Sequence, residues 1–419
     1  MGLEFSKILG FKCISCGREI EKAEYTCPEC SGNMDVVYDY KKIAKFFSKK
    51  DLVKNRDFSI WRYSPILPVT SLRRIPSLQI GVTSLCSIRR LNDELGIENL
   101  LFKDDTKLPS ASLKDRASAV TVVVGLEKGK EIFTTASTGN AGCALACISA
   151  NMGLKSIIFV PKSAPKAKIA QLLLYGARVI AVNGTYDDAY DLSLKASERF
   201  GWYNRSTGYN PFTREGKKTA SLEIAEQMSW EVPDYVFVPV GDGNIISGIW
   251  KGFVDLYELE FIKKLPKLVA VQSDKSDSVT RSYENAVSRS QESKDIKIIP
   301  VKATTVADSI FVDLPRDGVA AVKAIMESGG GAVRVSDDEI LKTIKYLAEK
   351  TGIFAEPAGV TSFAGFLKMF KERKVHSAST VVCLITGNGL KDIDSALKVS
   401  GSPETIDPQI SELEKIVRQ

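Results

Sequence analysis

A lysine that ends a loop of small residues and opens a helix is placed for imine chemistry, because the helix start disfavours the ammonium and the neutral amine is the nucleophile. Lys114 is such a residue: it follows Leu108-Pro109-Ser110-Ala111-Ser112-Leu113 and leads into Asp115-Arg116. Three other runs have comparable chemistry. Ala136-Ser137-Thr138-Gly139-Asn140 offers hydroxyls and turn N–H groups to a carboxylate at a helix start. Gly241-Asp242-Gly243-Asn244 is a turn whose N–H groups can cradle a phosphate. Thr386, in Thr386-Gly387-Asn388-Gly389, sets a hydroxyl where it can meet a ring nitrogen. Taken one at a time these are also a surface lysine, a Ser/Thr helix cap, a plain G-x-G turn and a polar strand end.

The elements that must carry these runs are legible. Leu100–Phe102, Ile132–Thr134, Ser156–Val160, Arg178–Val182, Tyr235–Val240, Leu268–Val271 and Thr380–Ile385 are short β-rich runs separated by longer helical stretches. That alternation is the pattern of an α/β fold with largely parallel strands, whose ligands gather beyond the carboxyl ends of the strands. Each of the four runs follows such a strand. Ser336 and Glu339 form a capping box ahead of Ile340, Ile344 and Leu347 at helical spacing. Ser276–Lys297 is polar and Ser-rich, with apolar residues too sparse for a core helix, and reads as a surface segment.

At the N-terminus Cys13, Cys16, Cys27 and Cys30 make C-x2-C-x10-C-x2-C, two knuckles able to present four thiolates to zinc. A structural zinc there would fold a module too small to bury its own core. The remaining cysteines, Cys86, Cys143, Cys147 and Cys383, lie in apolar contexts as core fillers.

Composition narrows the classes. A chain of 419 residues exceeds a single core, so two or three units are expected. Hydrophobic residues are 44% and charged residues 26%, and no run approaches the roughly 20 apolar residues of a membrane span. The formal charge is only +6, without a basic stripe, which argues against nucleic acid as a partner. Met1–Ser6 satisfies the loose N-myristoylation pattern, which constrains little. No basic-then-apolar leader precedes the cysteines, so the cytoplasm is the expected compartment. The one histidine, His376, sits in a polar turn before a strand, which excludes a multi-histidine metal centre and leaves acid–base work to lysine, carboxylates, tyrosine or a cofactor.

The ordered set of imine lysine, carboxylate loop, phosphate turn and ring-nitrogen hydroxyl resembles the fold type II enzymes that use pyridoxal 5′-phosphate (PLP). Within them the chain is most similar to the threonine synthase family, from about residue 10 to about residue 395, through the cysteine knuckles, Trp61-Arg62-Tyr63, Ser112-Leu113-Lys114-Asp115-Arg116, Ser137-Thr138-Gly139-Asn140, Trp250-Lys251-Gly252-Phe253, Glu356-Pro357-Ala358 and Thr386–Asp392. The resemblance implies two open, mostly parallel α/β domains with the cofactor between them, plus the zinc-ribbon-like module. The expected bounds are 1–35 for that module, 36–110 with 206–419 for the large domain, and 111–205 for the small one. It implies that Lys114 carries PLP as an imine and serves as acid and base, that Asn140 bonds the cofactor's 3′-oxygen, and that Gly241, Asp242, Gly243, Asn244 and Ile245 wrap its phosphate. Thr386 would face the ring nitrogen, and Ser112, Ser137, Thr138 and Asn140 would meet the amino-acid substrate. The implied reaction turns O-phospho-L-homoserine and water into L-threonine and phosphate, in a homodimer.

Three departures bear on this. The family's Asn-Pro-Thr-Gly-Ser is Leu108–Ser112 here, and its Gly-Asn-Gly-Gly-Asn is Gly241–Ile245. Its Asn-Ser-x-Asn-Pro-Phe-Arg, whose first Asn, Ser and Arg grip the substrate phosphate, becomes Thr207, Gly208, Asn210, Pro211, Phe212 and Thr213. A threonine cannot replace a bidentate guanidinium. Either Arg214, Arg205 or Lys217 compensates, or the enzyme performs β-elimination or β-replacement on another amino acid, as serine and threonine dehydratases do.

Overall fold

The computed structural model describes residues 7–23, 25–164, 166–290 and 295–417; Met1–Ser6, with the acylation-like pattern, lies outside them. Three sheets form among these residues. β1 (Ile8–Cys13), β2 (Glu19–Ile20) and β3 (Met34–Tyr38) make a small antiparallel sheet in the order β2-β1-β3. β4 (Ser84–Ser87) and β5 (Asn99–Asp104) open the large sheet. β6 (Ile132–Ala136), β7 (Lys155–Pro161), β8 (Arg178–Val182) and β9 (Tyr203–Asn204) make a parallel sheet in the order β8-β7-β6-β9. β10 (Tyr235–Pro239), β11 (Lys267–Ser273), β12 (Gly331–Val335) and β13 (Thr380–Ile385) complete the large one, ordered β12-β11-β10-β13-β5-β4, with β4 alone antiparallel.

The central strands are covered by helices on both faces, so they carry near-continuous apolar runs rather than an alternation. In β10 and β13 every residue after the first is buried. One continuous core joins the four-stranded β6–β9 sheet (the small sheet beside the large one), the N-terminal module and one face of the large sheet, through residues such as Val36, Trp61, Val120, Phe133 and Val238. A second core, with Phe102, Phe237, Phe363 and Phe366, fills the other face of the large sheet. The Ser276–Lys297 reading is corrected in part: Ser278–Ser288 is a helix that buries Val279, Ala286 and the hydroxyls of Ser278, Thr280 and Ser282. Ser282 bonds the Ser278 carbonyl at 2.7 Å, so its polarity is satisfied within the helix.

The N-terminal module is tied down by charge. Arg214 reaches Asp35 at 3.0 Å and Asp317 at 2.6 Å, and Lys251 reaches Asp35 at 3.1 Å. Asn33 donates to the Arg316 carbonyl at 2.7 Å and to Asp317 at 2.8 Å, and Lys323 donates to the Ile14 carbonyl at 2.5 Å. Thus the module leans on the segment around Asp317, which also borders the main cavity.

Candidate active site

The carboxyl ends of β6, β10 and β13 converge on a cavity of ≈ 570 Å³, lined by Lys114, Ser137, Thr138, Asn140, Gly241 through Ile245 and Thr386. This volume suits a cofactor with a small substrate. Lys114 is the first residue of the Lys114–Glu127 helix. The loop before it is pinned: the Ser110 N–H and hydroxyl both donate to Asp115, the Asn388 N–H donates to the Ala111 carbonyl at 3.0 Å, and the Leu113 N–H to the Thr386 carbonyl at 2.9 Å. Ala111 takes the left-handed backbone (φ 63°) that its family counterpart, glycine, adopts freely. No hydrogen bond or ion pair holds the Lys114 amine among the described residues. Burial, opposed by Glu356 and assisted by Arg205, pulls its pKa down to about 8. A neutral amine is therefore within reach near physiological pH.

Across the cavity the Asn244–Glu258 helix begins after Gly243, whose φ is +89°. A Cβ there would lie 2.7 Å from Ala321 and 2.8 Å from the Asp317 carbonyl, so only glycine fits the turn. The first residues of the helix, Asn244, Ile245 and Ile246, line the cavity, and a helix start is a ready anion site. Asp242 turns its carboxylate to the Arg316 N–H at 3.2 Å, and burial raises its pKa. Lys217, fully buried, donates to Asn244 Oδ1 at 2.6 Å.

Asn140 opens the Asn140–Asn151 helix; its side-chain amide donates to Glu356 at 2.7 Å and to Ser309 at 3.2 Å. Ser137 Oγ accepts from the Gly139 N–H at 3.2 Å. Thr386 is nearly buried just past β13. Ser112 is fully buried, its hydroxyl without a partner, and it does not line the cavity.

Sequence reasoning assigned no role to Glu356, although it noted the Glu-Pro-Ala run. Glu356 caps the Pro357–Lys371 helix and presses its carboxyl against Gly387, where a Cβ would come within 2.3 Å. Burial raises its pKa. The segment from Asp308 to Arg316 also lines the cavity, and nothing in its composition announced this.

Of the cations named as replacements for the missing arginine, Arg214 is committed elsewhere. Its guanidinium grips Asp317 at 2.6 and 2.9 Å, Asp35 at 3.0 Å and Ser247 at 3.1 Å. Thr213 is turned inward, its hydroxyl on the Asn210 carbonyl at 2.8 Å. Arg205 and Lys217 both line the cavity.

The residues present fit a phosphorylated, ring-bearing cofactor: a free amine of lowered pKa, a glycine-shaped turn at a helix start and a hydroxyl at a strand end face one space. The four cysteine sulfurs lie within 4.8 Å of one another. Cys13 and Cys30 are 3.5 Å apart and Cys16 and Cys27 3.8 Å apart. Tetrahedral zinc with Zn–S bonds of about 2.3 Å sets sulfurs roughly 3.8 Å apart, so this donor set fits that metal.

Comparison with known proteins agrees. Residues 76–387 match the family model described as pyridoxal-phosphate dependent enzyme. The chain is 39% identical over 413 residues to a threonine synthase of Methanocaldococcus jannaschii, covering 97% of this chain and 99% of that one. It is 35% identical to a threonine synthase of Methanosarcina acetivorans, covering 97% and 98%. Among solved structures, a threonine deaminase of Solanum lycopersicum superposes with a TM-score of 0.64 at 24% identity, over 76% of this chain and 87% of that one. A diaminopropionate ammonia lyase of Escherichia coli does so with a TM-score of 0.62 at 19% identity, over 76% and 86%. The fold is that of the fold type II enzymes, and the chain belongs to the threonine synthase family of pyridoxal-phosphate-dependent enzymes.

Proposed function

We propose that the chain converts O-phospho-L-homoserine and water into L-threonine and phosphate. The observation that carries this reading is the likeness to threonine synthases over nearly the whole chain, and the four strand-end runs around one cavity support it. When bound, PLP supplies an electron sink for the carbons next to the substrate's amino group. Lys114 would hold the cofactor covalently, and its amine would move protons at Cα, Cβ and Cγ as the γ-phosphate leaves, water adds at Cβ and Cγ becomes the methyl group. Its lowered pKa suits both giving and taking a proton. Asn140, steadied by Glu356, would bond the cofactor's oxygen, and the turn Gly241–Ile245 would bind its phosphate through backbone N–H groups. Thr386 would offer the ring nitrogen a neutral partner. Ser137 and Thr138, at the start of a helix, receive the substrate carboxylate.

The same proposal includes the division into 1–35, 36–110 with 206–419, and 111–205, a structural zinc on Cys13, Cys16, Cys27 and Cys30, and a homodimer. Incubating the PLP-loaded protein with O-phosphohomoserine and following products by mass spectrometry tests the reaction. Threonine and phosphate in equal amounts are expected. A 2-oxo acid released without threonine would sink the reading.

A further inference from the structure

Arg205 is an oddity in the cavity wall. It is fully buried just after β9. Its Nε donates to Ser118 Oγ at 3.0 Å and its Nη1 to Thr207 Oγ1 at 3.2 Å. Nη2 has no partner. No carboxylate forms an ion pair with it among the described residues, and burial pulls its pKa down to about 10 although Tyr186, Asp115 and Asp242 act the other way. A buried guanidinium with a spare N–H and no acid beside it is costly on its own, and becomes favourable when an anion meets it.

Position narrows which anion. Ser118 lies one helical turn beyond Lys114 on the same face of the Lys114–Glu127 helix. Arg205 therefore stands beside Lys114, on the side of the small sheet. Lys217, by contrast, is fastened to Asn244 at the start of the Asn244–Glu258 helix, the end of the cavity where the glycine turn already forms a phosphate cradle. The two cations are near enough to act on each other but are fastened to different partners. A phosphate on the γ-oxygen of an amino acid, a few bonds from the carbons that Lys114 acts on, falls within range of Arg205.

We propose that Arg205, which lines the cavity, is the residue that determines specificity for the substrate's phosphate, receiving it on its guanidinium, while Lys217 stays with the cofactor's phosphate. This rests on the reaction proposed above. The charge absent at Thr213 is thus supplied from the residue just after β9, across a different wall of the same cavity.

The test compares two ligands on the holoenzyme through the change in cofactor absorbance: 2-amino-5-phosphonopentanoate, which mimics the phosphorylated substrate, and norvaline, which lacks the phosphonate. Arg205→Gln is expected to weaken the phosphonate by roughly 10- to 100-fold, the scale of a lost charge-assisted contact. Norvaline binding and cofactor content should stay within about twofold, and Arg205→Lys should recover part of the loss. In turnover the same change should raise KM far more than it lowers kcat. Lys217→Gln should loosen the cofactor yet keep the preference for the phosphonate. The proposal is overturned if Arg205→Gln keeps that preference, if both ligands weaken together, or if the preference follows Lys217 instead. If the unmodified holoenzyme binds both ligands equally, the reaction itself has been misassigned and the proposal goes with it.

Discussion

Two buried arginines touch the Lys114–Glu127 helix, and their surroundings are opposites. Arg116 reaches Asp105 at 2.8 and 2.9 Å, Glu223 at 2.8 Å, and the hydroxyls of Thr83 and Thr219 at 3.0 Å. Lys103 joins the same cluster through Glu223 at 2.6 Å. Held by these two cations, the Glu223 carboxyl has its pKa lowered to about 2. Arg205, equally buried, has two hydroxyls and an idle N–H. A region whose charges are all answered from within is scaffold; one that leaves a charge unanswered is waiting for something from outside.

The comparison can be broken by experiment. Arg116→Met leaves Asp105 buried without its cation and Glu223 with Lys103 alone, and should cost about 3–5 kcal/mol, read as a large fall in the denaturation midpoint or as failure to fold. Lys114 comes next. Attachment of added PLP to the apo-protein needs the neutral amine, so its rate should fall about tenfold for each pH unit below 8 and level off above about 8, where its pKa lies. A rate still climbing toward pH 10 in stopped-flow absorbance would mean the amine is not so perturbed. The smallest effect is expected from Arg205→Met, which removes a charge that had no acid beside it. Thermal stability of the apo-protein should change by less than about 1 kcal/mol, or rise. If Arg205→Met proved as damaging to folding as Arg116→Met, the contrast drawn between the two arginines would be false.

The large and small sheets were legible because parallel strands buried on both faces leave unbroken apolar runs, as in Tyr235–Val240 and Thr380–Ile385. Within those two sheets, the strands that escaped notice are those whose identity comes from a neighbour; β1 to β3 of the N-terminal module escaped it as well. β9 has two residues and exists through its pairing with β6, β12 opens on glycine beside β11, and β4 lies at an edge as Ser-Leu-Cys-Ser. In the site, side chains at strand ends could be read from order along the chain, because topology delivers them to one place. Burial could not. Nothing in the spacing of Arg205, Lys217 and Arg214 tells that Arg214 is spent on Asp317 while Arg205 keeps an N–H free, since those partners lie over 100 residues away. Ser112 shows the converse: it adjoins the chemistry in sequence, yet its hydroxyl is outside the cavity lining.

The docking of the N-terminal module also bears on how the chain is made. Its anchors are Asp35 to Arg214, Asn33 to Asp317 and Ile14 to Lys323, separated by 179, 284 and 309 residues. At about 5–20 residues per second, a ribosome that has released the cysteine knuckles needs roughly 15–60 s more to deliver Lys323. Through that interval the first segment to emerge has only part of its docking surface, since Arg214 is made well before Asp317 and Lys323. Until the last part of the platform arrives its short strands rest on their own pairing, β1 with β2 and β3, so the newborn chain leans on local contacts, to which a metal on the proposed four-sulfur site would add, well before the finished enzyme does.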